Sequence, residues 1–313
     1  MIRRAGARIA TGAGLLLLLS LLVYIGVDLL PGDAATARLG PDATPERVAG
    51  LRHRLGLDRP VTTRYAEWLM GLLRGDLGMS TTGRPVSELL SDRIGNSALL
   101  STLTLLLLVP LSLGVGLVAA TRRGRGLSTG ALLLVSVPEF AIAGALALLF
   151  AVTLRWLPSV SLIPPGESPL GHPEALVLPI LSLLAVGLSY AVRAIRAATV
   201  TAFGSPQVEF LRLNGIKPGA VLRSAVIPAV LPVAVQVWLV TGVSLVGGGV
   251  LVEKVFGYPG IGESLVTSVQ TGDLAVVQAL VLVLGAAMLT ALALADLAVV
   301  LLTPRLRTRA ATA

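Results

Sequence analysis

Three carboxylates, Asp28, Glu139 and Asp296, lie in or beside long apolar runs. A charge at the centre of a bilayer costs about 3 kcal/mol on insertion scales, so each is expected to face a bundle interior, a water-filled path or an interface. Asp28 and Asp296 fall near the ends of their runs, where a snorkelling or capping carboxylate is the plain reading. Glu139 directly follows Pro138 near the middle of its run and is the candidate pore-lining residue; the alternative is a buried carboxyl, protonated or hydrogen-bonded to a neighbouring span. His53 and His172 are far apart in sequence and no metal site is expected between them. With no cysteine, the chain has no thiolate ligand, no disulfide and no Cys nucleophile. Paired catalytic carboxylates and an H-E-x-x-H sequence are missing. No G-x-x-x-x-G-K-[ST] loop is present to cradle nucleotide phosphates. These residues point away from catalysis, so the chain is not expected to be an enzyme.

The elements that must position them are apolar. Of 313 residues, 54% are hydrophobic and only 13% charged, about half the charged share of a soluble domain. The excess is concentrated in runs of Leu, Val, Ala and Ile, which predicts an all-α polytopic membrane protein. Six runs are long enough to cross, over residues 9–30, 97–121, 128–154, 175–192, 225–252 and 274–302. The fourth is the shortest, with Glu174 and Arg193 at its ends. Pro110, Pro138, Pro179, Pro228 and Pro232 interrupt these runs and are expected to shape the bundle by kinking.

The net charge of +8 reads as membrane topology rather than nucleic-acid binding, because the basic residues gather at the ends of apolar runs. If the N-terminus is cytoplasmic, the inner segments hold Arg3, Arg4, Arg8, Arg122, Arg123, Arg125, Arg193, Arg196, Arg212, Lys217, Arg223, Arg305, Arg307 and Arg309, against one acid, Glu209. Both termini are therefore expected inside. The first run could be a signal peptide, with Ala35, Thr36 and Ala37 as its cleavage site, but it is longer than such a core and reads as a retained anchor.

Residues 31–96 are too long for a simple connection. Thr44, Pro45 and Glu46 form an N-cap, N1 and first-turn acid, followed by Val48, Leu51 and Leu55 at helical spacing and Gly56 as a stop. A second amphipathic stretch carries Tyr65, Trp68, Leu69, Leu72 and Leu73 and stops around Gly75 or Gly78. This is expected to be a helical outer segment, either a structural cap or a landing surface for a soluble partner.

The inner segment over 193–224 is the most informative. Ser205 and Pro206 read as N-cap and N1. Two apolar rows follow, Val208 with Leu211 and Phe210 with Leu213. Asn214-Gly215 is a stop, and Pro218 begins another helix leading into the fifth span. A helix of about 8 residues is unstable alone in water and needs a partner surface.

At this segment the chain resembles the permease subunits of ATP-binding-cassette importers, in which a Gly lies six residues after an acid and a Leu-Pro-like pair follows about a dozen residues on. Here these are Glu209, Gly215 and Ile227-Pro228. The dipeptide/oligopeptide/nickel permease family is the nearest resemblance. Leu55-Gly56-Leu57-Asp58-Arg59-Pro60, Leu73-Arg74-Gly75-Asp76-Leu77-Gly78, Thr82-Gly83-Arg84-Pro85-Val86, the stretch from Gly248 to Gly262, Asp296-Leu297 and Pro304-Arg305 resemble its motifs in consistent order. The chain departs from the pattern at Glu139, where the family has Ser or Thr, and at Thr303, where it has Asp.

The resemblance implies a division of labour. Residues 1–30 would be the N-terminus and first span, 31–96 the extracytoplasmic helical segment, 97–307 a five-helix permease core with its coupling loop at 193–224, and 308–313 a cytoplasmic tail. Two ATPase subunits would bind ATP and Mg, with no cofactor on this chain. Ser205, Val208, Glu209, Leu211, Arg212, Gly215 and Pro228 would form the ATPase-coupling loop: the apolar row supplies docking area, Glu209 and Arg212 supply rim contacts, and Gly215 sets the helix angle. A homologous second permease subunit would complete the pore, a heterodimer being expected. An extracytoplasmic binding protein would deliver di- or oligopeptides across the cytoplasmic membrane of a prokaryote. Nickel, a metal chelate or another small solute is the alternative cargo. An ion-driven secondary transporter would show more broken spans and an internal repeat, which is not evident.

Overall fold

The computed structural model describes residues 2–28, 43–54, 58–121, 136–164 and 166–302, with isolated positions 35, 39, 126 and 130. The expected stop at Gly56, the basic cluster Arg122, Arg123 and Arg125, the first part of the third run, Arg305, Arg307, Arg309 and the tail over 308–313 lie outside the described residues, as do the side chains of Asp28 and Asp296.

The described chain is helical. Its elements are α1 (Ile2–Asp28), α2 (Pro45–Arg54), α3 (Val61–Leu73), α4 (Val86–Ala119), α5 (Glu139–Leu146), α6 (Pro173–Phe203), α7 (Pro206–Leu213), α8 (Pro218–Val221), α9 (Ile227–Phe256), α10 (Ile261–Thr271) and α11 (Leu274–Leu302). A π-helical stretch, Ala147–Thr153, continues α5, and another, Leu222–Val226, joins α8 to α9. Among the described residues, five helical stretches are long and apolar enough to cross a membrane: Ala10–Val27, Val86–Ala119, Pro173–Phe203, Pro218–Gly247 and Leu274–Ala295. The chain is an all-α polytopic membrane protein. Glu139–Thr153 forms a sixth, shorter apolar helix.

Three expectations need correction. The fourth run was expected to end at Arg193, but α6 continues to Phe203. A charge ends the stretch suited to hydrocarbon, not the hydrogen-bonded ladder. Beyond it Ile195, Thr199 and Ala202 are buried on one face, while Arg193 is exposed. Likewise α4 begins at Val86, well before the apolar run. Third, Pro138 does not kink a continuous helix. Its extended backbone (φ −58°, ψ 144°) makes it the residue before the first turn of α5. Glu139 therefore opens a helix, where a carboxylate complements the helix dipole. Pro110, Pro179 and Pro232 do lie inside helices. Pro228 has no N–H for the Ser224 carbonyl, which accounts for the widened turn over Leu222–Val226 just before it.

The described chain divides into two compact units. One comprises Met1–Ser97, Pro164–Glu167 and Pro259–Leu289. In it, Tyr24 of α1 meets Tyr65 and Trp68 of α3 at ring-centroid distances of 5.4 and 5.3 Å, and Ser20 Oγ shares a 2.8 Å hydrogen bond with the Tyr65 hydroxyl. The expected apolar face of α3 is thus partly used; Tyr65, Trp68, Leu69 and Leu72 are half-buried, but Leu73 is exposed. Arg59 makes a bidentate pair with Glu67, both contacts at 2.8 Å. His53 lies 2.6 Å from Asp58, and that hydrogen bond holds the Asp58 carboxyl below the usual carboxylate range. Helix α10, which the sequence reading did not anticipate, is fastened to the start of α4. Arg93 donates to Glu263 (2.6 Å), Thr267 donates to the same carboxylate (2.7 Å), Asn96 donates to the Pro259 carbonyl (2.8 Å), and the Ile261 N–H donates to Ser97 Oγ (2.9 Å).

The other unit comprises Ala98–Ile163, Ser168–Tyr258 and Thr290–Ala313. Its core has one cluster around Leu100, Leu178, Phe256 and Tyr258, and a second around Ile195, Val208, Val221, Val226 and Val230. The strap before α6 is pinned by Ser161, whose N–H donates to the Phe256 carbonyl (2.7 Å) and whose hydroxyl donates to the Ala175 carbonyl (2.6 Å). Trp238 Nε1 donates to Ser112 Oγ (2.8 Å), joining α9 to α4. Apolar side chains gain little from leaving lipid, so such helices associate through close packing at small residues. Gly116 is one such point: a Cβ there would stand 2.6 Å from Ile195 Cγ2 and 2.8 Å from its Cβ.

Gly116→Val should therefore overpack the α4–α6 contact, at a cost of about 1–3 kcal/mol. Its thermal unfolding midpoint in detergent is expected to fall by several degrees. Gly114→Ala, with open space around the new methyl, is expected to leave the midpoint unchanged or slightly raised. Equal midpoints for both variants would contradict the close packing.

Candidate functional site

Helix α7 is built by local chemistry at both ends. Ser205 has extended backbone (φ −74°, ψ 146°), and its Oγ accepts from the Val208 N–H at 3.4 Å while donating to the Ala202 carbonyl at 2.7 Å. Pro206 occupies the first helical position, where a missing N–H costs nothing. Glu209 sits in the first turn and Arg212 in the last, the order that suits the helix dipole. At the other end Gly215 adopts φ +71°. Its N–H donates to the Arg212 carbonyl (3.0 Å) and the Ile216 N–H donates to the Leu211 carbonyl (3.1 Å). This pair of bonds is a Schellman stop, and the left-handed residue it needs is best supplied by glycine. Asn214 adds a side-chain bond to the Phe210 carbonyl at 2.8 Å.

The two apolar rows face opposite ways. Val208 is 1% exposed and Leu211 packs beside it, both against the cluster of Ile195, Ala202, Val221, Ala225 and Val226. Phe210 is 65% exposed and Leu213 81% exposed. Glu209 and Arg212 are exposed as well. The Arg212 guanidinium lies 5.4 Å from the centroid of the Phe203 ring, a cation–π contact that joins α7 to the end of α6. Phe203, Gly204, Glu209, Arg212 and Leu213 line an open cavity of about 450 Å³. Chemically this is a rigid knob: one row anchors it in its own bundle, and the other offers an aromatic and an aliphatic side chain beside one carboxylate and one guanidinium.

Ser205, Val208, Glu209, Leu211, Arg212 and Gly215 are brought together as one element. Pro228 stands in the first turn of α9 and Glu139 in the first turn of α5, half-buried. Phe203 is a residue of the site that sequence reasoning missed; its signal was an aromatic just before the Ser-Pro cap.

The class of protein is now defined. The family described as "Binding-protein-dependent transport system inner membrane component" matches residues 109–308, and its N-terminal counterpart matches residues 1–91. The chain belongs to this family and is a multi-pass inner-membrane permease component of an ATP-binding-cassette importer. Among its relatives, a putative peptide transport system permease protein of Brucella abortus is 34% identical over 310 residues, covering 96% of this chain and 97% of the relative. A probable peptide ABC transporter permease protein of Sinorhizobium fredii is 33% identical over 312 residues, covering 96% and 97%. The glutathione transport system permease protein GsiC of Salmonella choleraesuis is 34% identical over 273 residues, covering 85% and 86%.

The caps set two expected outcomes. Ser205→Ala should cost α7 about 1 kcal/mol, and Gly215→Val should cost about 1–2 kcal/mol because a branched residue is forced into the left-handed region. Hydrogen exchange of the amides from Val208 to Leu211 checks both. Faster exchange is expected in each variant, and unchanged exchange would mean that the caps do not hold the helix.

Proposed function

We propose that this chain forms half of the translocation path of a peptide importer, and that α7 couples it to ATPase subunits. The observation that carries this reading is the division of α7 into a buried row and an exposed row. An exposed Phe and Leu on a stiff, capped, two-turn helix suit insertion into a groove of another protein, with Glu209 and Arg212 at the rim. Because Val208 and Leu211 tie the helix to α6, α8 and the start of α9, a push on α7 moves those elements as a body.

The remaining parts follow from this reading. In this reading the chain has six spans, with residues 128–154 as the third, and the basic residues of 193–224 lie on the inner side, which supports both termini in the cytoplasm. Residues 31–96 then lie outside, 97–307 form the permease core, and 308–313 form an inner tail. A homologous second permease subunit supplies the other half of the path, two ATPases bind ATP and Mg, and an extracytoplasmic binding protein delivers cargo. Di- or oligopeptides are the cargo, a reading supported by relatives described as peptide and glutathione transport system permeases. Glu139, opening α5 half-buried, is the candidate residue along the path.

The test is co-purification and uptake. Phe210→Ala is expected to weaken ATPase association by about 2 kcal/mol, roughly thirtyfold, and Leu213→Ala to act in the same direction. Replacing residues 209–215 by a flexible linker should abolish both association and ATP-driven uptake of labelled peptides into vesicles. If association survives that replacement, the coupling role of α7 is wrong. Uptake by the chain with no ATPase present would remove the importer reading altogether.

A further inference from the structure

Between α3 and α4 the chain forms a tight hairpin. Met79 bridges Pro85 in antiparallel fashion, Val86 N–H donates to the Gly78 carbonyl (3.0 Å), Ser80 N–H donates to the Arg84 carbonyl (2.9 Å), and Gly83, at φ +79°, donates to the Ser80 carbonyl (2.9 Å). The turn is locked again by its side chains, since the Thr82 N–H donates to Ser80 Oγ at 3.1 Å. Thr82, Gly83 and Arg84 at its tip are exposed, and Arg84 makes no ion pair among the described residues.

This hairpin is gripped by a residue far along the chain. Asp273, only 6% exposed, precedes α11. Its Oδ2 accepts hydrogen bonds from Ser80 Oγ, from the Thr81 N–H (3.1 Å) and from Thr81 Oγ1 (3.1 Å). Its Oδ1 is buried with no hydrogen-bond partner among the described residues. A buried, half-satisfied carboxylate is an expensive way to fasten a loop, and an apolar pair of similar shape would hold it at lower cost. What three bonds to one oxygen provide is direction: they fix the orientation of the turn, not merely its attachment. Outside this grip stands an exposed guanidinium, without an ion pair among the described residues, on a preorganised turn. A guanidinium offers five donors in a fixed fork that matches a carboxylate, and presenting it rigidly lowers the ordering cost of association.

Resting on the orientation and partners proposed above, we propose that the tip of Thr82, Gly83 and Arg84 is a docking point for an acidic patch on the extracytoplasmic binding protein, and that Asp273 is the positioning residue that presents it. Arg84 carries the contact and Asp273 acts only through the hairpin.

The experiment uses the assembled importer in vesicles, titrated with its substrate-loaded binding protein, with ATP hydrolysis as the readout. Arg84→Glu, at an exposed position, is expected to raise the half-saturating concentration of binding protein by about tenfold, the size of one lost interfacial charge contact. Asp273→Ala is expected to shift it in the same direction although the tip is unaltered, with the shift exceeding any change in maximal rate. Because the chain has no cysteine of its own, the double variant S80C/D273C tests positioning directly: oxidation to a disulfide should restore the wild-type titration and reduction should shift it again. The proposal is overturned if Arg84→Glu and Asp273→Ala titrate like wild type, or if Asp273→Ala lowers the maximal rate alone. It also falls if the Arg84→Glu effect disappears in vesicles lacking anionic lipid, since the tip would then be reading the membrane. A wild-type importer that no binding protein stimulates would remove the underlying importer reading, a result distinct from all of these.

Discussion

The coupling role proposed for α7 depends on one packing constraint, the seating of Val208 and Leu211 against Ile195, Val221 and Val226. A helix of 8 residues cannot stand by itself, because nucleation costs more than so few hydrogen bonds return. The buried row makes it stable, and the same contact makes it rigid with respect to the membrane helices behind it. The caps at Ser205 and Gly215 then determine where it begins and ends, and therefore which residues are left facing away. Phe210 and Leu213 are exposed as a consequence of how the opposite face is used. The proposed coupling role rests on this arrangement, an anchored helix with an exposed apolar row that a partner can push on.

The membrane helices meet a different constraint. Without water to accept them, their backbone groups must be satisfied within each helix, and their side chains gain little by leaving lipid. Close approach at Gly116 and polar links such as Trp238 to Ser112 and Arg196 to the Ala119 carbonyl therefore matter more than the long leucine runs. Prolines are absorbed in different ways. Pro138 starts a helix, Pro228 follows a widened turn, and Pro110, Pro179 and Pro232 remain inside helices. In the unit containing the hairpin, polar contacts join segments distant in sequence, such as Arg93 with Glu263 and Asp273 with Ser80 and Thr81. Directional bonds of this kind suit a surface whose shape has to be kept.

Much of this was legible from the sequence. Five of the six apolar runs correspond to helices long and apolar enough to cross a membrane, and the last of them, 274–302, coincides with α11. Ser205-Pro206 and Asn214-Gly215 marked both ends of α7, because capping is a local matter of one side chain and one dihedral angle. Helical spacing also separated Val208 and Leu211 from Phe210 and Leu213. In contrast, Arg193 was a poor guide to the end of α6, since charge reports where hydrocarbon stops and says nothing about the backbone ladder. Pro138 could equally kink a helix or begin one, and only the ψ of the folded chain distinguishes these.

What the sequence determined by itself, then, was everything that depends on near neighbours: which segments are apolar enough for lipid, where helices are capped, and which side chains share a helical face. Which of two apolar rows on α7 turns inward was decided by the tertiary structure, because both satisfy the same period and only one finds Ile195 and Val226 opposite it. The pairing of Ser80 with Asp273 was decided there too. Contacts across so many residues leave no local pattern, since they exist only after the intervening helices have closed the loop between them.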